Sequence, residues 1–400
     1  MKSARALPPQ ALAALLLAVF VVWFGYSVML PVLPSFIQAA DAGLTTDAVA
    51  RHTGLASSLY TLALFLFAPL WGWFSDRHSR RSVIIVGLLG YGVSLLGIVS
   101  FGGLAGLYLE RLTSGLFAAA ISPVASAVIG DCAPNENWRA RRLAWLGMAA
   151  TAGLFLGPAV GAAAAVHSGA NLAFASTAAL AIITAIGSLA LLPQCLPSGN
   201  LRTTAQDAAG RKVVHVLLAL SLVLGVAVGV FEVGLALRGD RTLGLGSAKL
   251  ALLFAECSLV MFVAQAIVFS PLFKAAATWR TIAPGLAVMG AGVLMLPWST
   301  GLLSLSIAVG LVAASGGILV PVFTYWISLA AGPQQGANLG SQLAVASLGQ
   351  GIGSAVVGLL FNSGLVPNIP FLLAAALLGF SAAMSLGATA RIRGLEPAAL

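Results

Sequence analysis

The chain has 400 residues, of which 60% are hydrophobic and 8% are charged, and its mean hydropathy is +1.01. A soluble globular domain carries about 25% charged residues, so this composition excludes that class of protein. The length leaves room for about a dozen membrane-crossing helices of roughly 20 residues each. Strands of a membrane barrel would alternate in hydrophobicity over about ten residues, so these continuous apolar segments predict helices.

The formal net charge of +9 is a topology signal. Most of the Lys and Arg residues fall in turns on one side of the apolar segments, and the positive-inside bias assigns that side to the cytoplasm. Both termini are then cytoplasmic, and we expect a multi-pass protein of the cytoplasmic (inner) membrane. We expect a monomer that contacts the lipid bilayer, with no nucleic-acid partner, no cofactor and no metal site.

Twelve apolar segments are predicted to span the membrane. The spans are 11–37, 54–74, 82–101, 104–129, 143–166, 172–193, 213–236, 248–271, 281–299, 302–328, 337–363 and 367–389. The polar residues 194–212 are predicted to form a cytoplasmic linker. The chain is therefore predicted to be an all-α integral membrane protein with two pseudo-symmetric six-helix bundles, 1–193 and 213–400. A weak repeat supports this symmetry, because Ala68-Pro-Leu-Trp after span 2 recurs as Ser270-Pro-Leu-Phe after span 8.

Aromatic and polar residues inside the spans are candidates to line a substrate cavity. Trp23 and Tyr26 in span 1 suit a lipophilic small molecule, although packing against lipid is the alternative for any one aromatic residue. Gln265 in span 8 and Asn338 and Gln342 in span 11 are the polar candidates. We expect these five residues to contact a small-molecule substrate.

The turn between spans 2 and 3 is dense in charge. It contains Asp76 with Arg77, Arg80 and Arg81, which lipid would exclude, so the turn lies at the membrane surface. Gly72, one helical turn before Asp76, leaves space for another helix to approach closely. The alternative is that this turn is only a topology signal.

A charged dipeptide, Glu110-Arg111, lies about six residues inside span 4. A charge at the centre of a span costs roughly 2.5 to 3.5 kcal/mol, so we expect Arg111 to face a polar cavity or a partner. The alternative is an interfacial arginine that extends outward to water. Gly115, one turn further on, leaves space beside it.

Span 5 contains three glycines at four-residue intervals, Gly153, Gly157 and Gly161, together with Pro158. Small residues at this spacing form a flat face for close helix contact. We predict that this face packs against span 8 of the opposite half. Packing without a role in transport is the alternative.

The motif Gly72-x-x-x-Asp76-Arg77-x-x-Arg80-Arg81 resembles the signature loop of the major facilitator superfamily, with Ser79 where that family usually has Gly. The prolines at Pro31 and Pro34, Arg111 with Gly115, and the glycine-proline motif of span 5 are similar to the twelve-helix drug/proton antiporter branch, which includes tetracycline efflux proteins. The resemblance implies that two six-helix bundles surround a central cavity and alternate between a cytoplasm-facing and an outward-facing state. It also implies that Asp131 joins the Asp76 turn in a cytoplasmic latch.

Val22 and Ser94 stand where the tetracycline-type proteins carry acidic residues. The proton-exchange sites are therefore expected elsewhere, and two acids lie deep in the second half. We predict Glu256 as the leading proton-exchange site and Glu232 as the second, with Arg111 tuning the field in the cavity.

Two alternatives compete with these predictions for the acids. Glu232 could pair with Arg238 or Arg241 near the mouth of the cavity. Glu256 could be a neutral structural hydrogen-bond donor.

The expected function is proton-coupled export of lipophilic or amphipathic small molecules, in the manner of multidrug efflux, by alternating access. A metabolite or sugar-type carrier of the same fold, proton-coupled or uncoupled, is the alternative. An enzyme would need a cluster of His, Cys or carboxylate side chains, and the sequence suggests none. A channel would need a continuous polar lining.

Overall fold

The computed structural model describes residues 7–41, 43–101, 103–167, 170–193, 208–241, 243–245, 247–270, 274–332, 334–362 and 368–393. The helices in chain order are α1 (Pro9–Ala40), α2 (Thr46–Ser75), α3 (Arg80–Phe101), α4 (Gly103–Ala118), α5 (Ile121–Asp131), α6 (Glu136–His167), α7 (Ala170–Leu191), α8 (Ala208–Arg241), α9 (Ser247–Val268), α10 (Ile282–Met295), α11 (Leu302–Ala330), α12 (Gln335–Asn362) and α13 (Ile369–Arg393). Short 3-10 helices flank α10 at Ala275–Thr281 and Leu296–Trp298.

These segments are helical because a chain in lipid must satisfy each backbone N–H and C=O group internally. Within the described residues, eleven segments are long and apolar enough to cross a membrane. The helix α12 has 28 residues but is not one of the eleven. Its Gly, Ser, Asn and Gln residues lower its hydropathy, so the eleventh predicted span is a helix of mixed polarity.

The structure differs from the predicted spans at several places. Two helices, α2 at Thr46 and α6 at Glu136, begin before their predicted spans. The fourth span consists of two helices, α4 and α5, joined by a turn at residues 119 and 120. The seventh span begins earlier than expected, because α8 starts at Ala208 and includes the end of the predicted linker. The rest of that linker, 194–207, lies outside the described residues.

Contacts divide the chain into two units. The first comprises residues 1–134, 148–203 and 333–344, and the second comprises 135–147, 204–332 and 345–400. In the first unit α3 packs on α4 and α7, while α1 packs on α7 and α2 packs on α4. In the second unit α11 packs on α9 and α10, and α13 packs on α8 and α10. The predicted bundles 1–193 and 213–400 stay a prediction.

Candidate functional site

The turn between α2 and α3 is organised by Arg80. Its side chain is 1% exposed, and its Nε donates to Asp131 Oδ2 at 2.5 Å while its Nη2 donates to Asp76 Oδ1 at 3.0 Å. The Nη1 atom donates to Ser75 Oγ at 3.0 Å. A planar guanidinium offers several donors in a fixed fork, so one arginine holds both carboxylates.

Asp76 also caps the first turn of α12. Its two carboxylate oxygens accept hydrogen bonds from the backbone N–H groups of Gly336 and Ala337, each at 2.8 Å. These N–H groups belong to the start of a helix, where they have no partner within the helix and where the helix dipole favours a negative charge. The bonds hold residues 335–337 against the end of α2.

Glycines allow α2 and the beginning of α12 to approach closely. A Cβ atom at Gly72 would overlap the carbonyl oxygen of Gly336, and one at Gly340 would lie 3.1 Å from the Cα of Pro69. A side chain at Gly336 would lie 2.8 Å from the Asp76 carboxylate. The hydrogen bonds to Asp76 therefore depend on a contact that only glycine permits.

The other two arginines of the turn do not contact these carboxylates. The guanidinium carbon of Arg77 lies 3.7 Å from the centre of the Trp73 ring, and its Nη1 donates to the Trp73 carbonyl at 3.4 Å. Arg81 donates to the carbonyl of Leu189 near the end of α7. Their predicted place beside Arg80 in the latch is corrected, because their side chains leave the turn in other directions.

Glu110 and Arg111 form a buried ion pair in α4. Arg111 Nε lies 2.6 Å from Glu110 Oε2, and its Nη2 donates to Glu110 Oε1 at 2.8 Å. The guanidinium also lies 5.5 Å from the centre of the Tyr60 ring. Arg111 therefore has a partner inside the span, and its alternative placement at the interface is wrong.

Trp23 and Tyr26 belong to an aromatic group on α1 and α2. Their ring centres are 6.3 Å apart in an edge-to-face arrangement, and Tyr26 stacks on Tyr60 at 4.9 Å. Trp23 Nε1 donates to Ser122 Oγ at 3.3 Å. Tyr60, which connects this group to Arg111, has no sequence signal beyond being aromatic in an apolar span.

The glycine face of α6 packs against α1. A Cβ at Gly153 would lie 2.7 Å from Phe24 N, and one at Gly157 would lie 2.8 Å from Phe24 O. Ser27 Oγ donates to the Gly153 carbonyl at 3.0 Å. The predicted contact of these glycines with span 8 is wrong, since α1 of the same half occupies that face. Gly161 is buried, whereas Pro158 is exposed.

In the second unit, Glu232 on α8 accepts a hydrogen bond from a glutamine side chain of α12. Gln350 Nε2 donates to Glu232 Oε2 at 2.7 Å. Arg238 donates instead to the carbonyl of Ser299 at 3.3 Å. The alternative pairing of Glu232 with Arg238 is therefore not formed.

Small residues bring α8 and α12 together beside Glu232. A Cβ at Gly229 would lie 2.8 Å from Ser354 N, and one at Gly353 would lie 3.0 Å from Val230 N. The backbones of the two helices are therefore in contact one turn from the carboxylate.

The remaining predicted residues occupy separate places. Glu256 on α9 is partly buried, and no hydrogen bond joins its carboxylate to another described residue. Gln265 is buried on α9, and its Oε1 would lie 3.0 Å from a Cβ at Gly147. Gln342 is buried, while Asn338 Nδ2 donates to Gln334 O of its own helix at 2.9 Å. Trp23 and Tyr26 are thus the pair of predicted cavity residues with a direct ring contact.

A family model described as the Major Facilitator Superfamily matches residues 15–314. The chain belongs to the major facilitator superfamily. Members of this superfamily carry small-molecule substrates across membranes, so the chain is a multi-pass membrane protein of that type. The family and the relatives below are transporters, not enzymes.

Relatives along most of the chain are named for drug resistance. Multidrug resistance protein 2 of Bacillus subtilis (strain 168) is 25% identical over 387 residues, covering 94% of this chain and 93% of that protein. Quinolone resistance protein NorA of Staphylococcus aureus (strain MSSA476) is 24% identical over 349 residues, covering 86% and 88%. The tetracycline resistance protein, class B, of Escherichia coli is 35% identical over 137 residues, about a third of each chain. The resemblance to the drug-antiporter branch is confirmed.

The solved structure of the human organic anion transporter MFSD10 (TETRAN) has the same fold. Its TM-score is 0.80 with 18% sequence identity, and the match covers 94% of this chain and 100% of that one. The predicted all-α major facilitator fold is confirmed.

Proposed function

We propose that this transporter is a proton-coupled exporter of lipophilic or amphipathic small molecules, and that it works by alternating access. The observation that carries the proposal is the Glu232 carboxylate, which is held inside a membrane span by a neutral amide, Gln350. The names of the relatives, which refer to multidrug and quinolone resistance, support the substrate class.

Proton exchange at Glu232 would act on helix packing. Hydrogen bonds to an ionised carboxylate are roughly twice as strong as bonds between neutral groups, so protonation weakens the bond from Gln350. Because the backbones of α8 and α12 meet beside this bond, a change in its strength alters the stability of that helix contact. A carboxyl group in apolar surroundings is favoured in its neutral form, and it releases its proton when water reaches it.

Glu256 is the second candidate in this proposal. It lies in the same unit, on α9, and its side chain is partly buried. We rank Glu232 first, because its hydrogen bond connects protonation to two helices.

The first unit would supply the apolar contacts to the substrate. Trp23, Tyr26 and Tyr60 form a continuous aromatic group, and aromatic faces suit lipophilic and cationic molecules. The charge of Arg111 is already balanced by Glu110, so this arginine does not offer an unpaired cation to an anionic metabolite. That pairing argues against an anionic metabolite as the substrate.

The Asp76 turn would serve as the latch of one transport state. Arg80 and the start of α12 both bind Asp76 by hydrogen bonds. Breaking and remaking these bonds in each cycle would allow α2 and α12 to separate and close again.

The decisive experiment measures substrate-induced pH change in proteoliposomes against a panel of dyes, antibiotics and metabolites. Transport of a lipophilic dye such as ethidium should move protons in the opposite direction and change the pH. Addition of a metabolite should cause no such pH change. The Glu232→Gln, Glu256→Gln double variant should lose uphill transport while downhill exchange continues. Normal pH-dependent uphill transport by the double variant would exclude both residues as proton sites.

A further inference from the structure

The fourth span is broken where α4 ends and α5 begins. Residues 118–121 are buried, and the N–H of Ala120 donates to the carbonyl of Phe117 at 3.2 Å, three residues back instead of four. Pro123, in the first turn of α5, has no N–H to offer to the carbonyl of Ala119. Non-helical backbone at membrane depth is tolerated only where it is buried in protein or lines a water-filled cavity. This buried turn therefore needs partners from neighbouring helices.

Two tryptophans from different helices hold the two sides of the break. Trp71 Nε1, on α2, donates to the carbonyl of Leu116 at 2.8 Å. In a continuous α-helix that carbonyl would bind the N–H of Ala120. On the other side of the break, Trp23 Nε1, on α1, donates to Ser122 Oγ at 3.3 Å. The end of α4 is thus fixed by α2, whereas the beginning of α5 is fixed by α1.

The two ends of α5 reach two features of the first unit that are already described. At its start, Ser122 binds Trp23, a member of the aromatic group. At its end, Asp131 accepts a hydrogen bond from Arg80, which also binds the carboxylate of Asp76. The 11 residues of α5 form a rod of roughly 16 Å at 1.5 Å per residue. One short helix therefore joins the aromatic group to the proposed latch.

The surroundings of α5 allow it to shift as one body. It packs on α1, α2 and α3, and small side chains are part of its buried surface: Ala125, Ser126, Ala127 and Gly130. Gly87 of α3 faces its start, where an added Cβ would lie 2.7 Å from Ile121 Cδ1. Non-helical residues flank it on both sides, at 119–120 and at 132–135. Small sliding movements of packed helices are one of the common modes of conformational change.

We propose that α5 is a lever that couples the aromatic group to the latch, with Trp23, Trp71 and Ser122 as positioning residues. A ligand that turns the Trp23 ring releases Ser122, and α5 then shifts at the break and weakens the bond between Asp131 and Arg80. Because the same arginine binds the carboxylate that caps α12, the latch loosens. The lever rests on the proposed function for the class of ligand, whereas its connection to the latch is testable without a ligand.

The first test is hydrogen–deuterium exchange of the full chain in detergent without ligand, followed in peptides that contain Gly336 and Ala337. Both N–H groups donate to Asp76, so their exchange reports on the latch directly. Ser122→Ala should speed this exchange roughly two- to tenfold, the change in equilibrium that loss of one neutral hydrogen bond produces. Ser122→Thr keeps the hydroxyl group and should restore the wild-type rate.

A tryptophan variant tests the same bond from α1. Trp23→Phe keeps an aromatic ring but loses the indole donor, so it should also speed exchange at the start of α12. Trp298→Phe is the control, because Trp298 is 58% exposed in the second unit, and it should leave this exchange unchanged. Exchange along α7 measures the general stability of the first unit. Unchanged exchange at the start of α12 in both Ser122→Ala and Trp23→Phe, or an equal increase along α7, would overturn the proposal.

The second test repeats the exchange measurement with ethidium, whose binding is followed separately by its fluorescence. Ethidium should speed exchange at Gly336 and Ala337 in the wild type. Ser122→Ala and Pro123→Ala, which offers the missing N–H and favours a continuous helix, should bind ethidium with unchanged affinity but lose this response. Binding without any change in exchange would contradict the lever. Failure of ethidium to bind would contradict the proposed substrate class alone, since the result without ligand still decides whether the lever exists.

Discussion

Two carboxylates of this protein, Asp76 and Glu232, both bind α12, and their surroundings are opposite in character. Asp76 accepts two backbone N–H groups at the start of α12 and also pairs with the buried Arg80. Glu232 accepts one hydrogen bond, from the side-chain amide of Gln350. In the described part of the chain, Glu232 forms no salt bridge.

Under the proposed function, the difference separates a structural carboxylate, Asp76, from one that exchanges protons, Glu232. The carboxylate of Asp76 binds one arginine and two backbone N–H groups at the start of a helix, so replacing it would remove several interactions at once. Among the described residues, no salt bridge joins Glu232 to a cation. We therefore propose that a carboxylate supports a helix contact in one place and exchanges protons in the other, and four substitutions test this distinction.

Glu232→Gln should have the largest effect, because the variant cannot exchange a proton at this position. Uphill efflux of ethidium driven by a pH gradient should fall to background, whereas downhill counterflow and thermal stability should be close to those of the wild type. Proteoliposome efflux and a thermal-shift assay measure the two properties. A large loss of stability would place Glu232 in the same structural class as Asp76.

Asp76→Asn should give the opposite pattern, with reduced stability as well as reduced transport. Hydrogen bonds to charged groups contribute roughly 1.5 to 3 kcal/mol each. The neutral asparagine side chain also removes one of the two negative charges that balance the buried Arg80. Thermal unfolding in detergent measures the loss. Asp131→Asn is the comparison, since Asp131 accepts from Arg80 but does not cap α12. If Asp76→Asn alters transport and stability no more than Asp131→Asn does, capping of α12 contributes nothing to the latch.

Gly72→Ala tests the close contact that allows Asp76 to reach α12. The added methyl group would overlap the Gly336 carbonyl, and overpacking of this kind costs roughly 1 to 3 kcal/mol. Gly54→Ala is a matched control on the same helix, because nothing lies within 4 Å of a Cβ there. The control should be neutral or slightly stabilising. Equal stability of the two variants, measured by thermal unfolding, would contradict the contact.

Gln350→Ala should have the smallest effect of the four. It removes one donor, worth about 1 kcal/mol when water can take its place, and it leaves the Glu232 carboxyl able to exchange protons. The transport rate should fall severalfold while coupling to the pH gradient persists. Ser341→Ala, on the same helix, should behave like the wild type. Complete loss of coupling would show that proton exchange at Glu232 requires the hydrogen bond from Gln350.

Some site features could be predicted from local sequence because they depend on neighbours in the chain. Glu110 and Arg111 are adjacent, and a charge in a span must find a partner, so the pattern predicted an ion-pair-capable dipeptide. The spacing of Gly72 and Asp76 likewise predicted a close approach next to a charged turn. Which of the three arginines binds Asp76 could not be predicted, because side chains only a few residues apart leave a turn in different directions.

Composition and hydrophobic length determined by themselves that this chain is a helical membrane protein with about twelve spans, because a bilayer sets the same length requirement for every span. Tertiary structure alone decided which faces meet. Gly153 and Gly157 pack against α1, and Asp76 binds Gly336, which is 260 residues away in the chain. These contacts depend on the rotation and neighbours of whole helices, and in lipid, where apolar faces resemble one another, hydropathy cannot specify them.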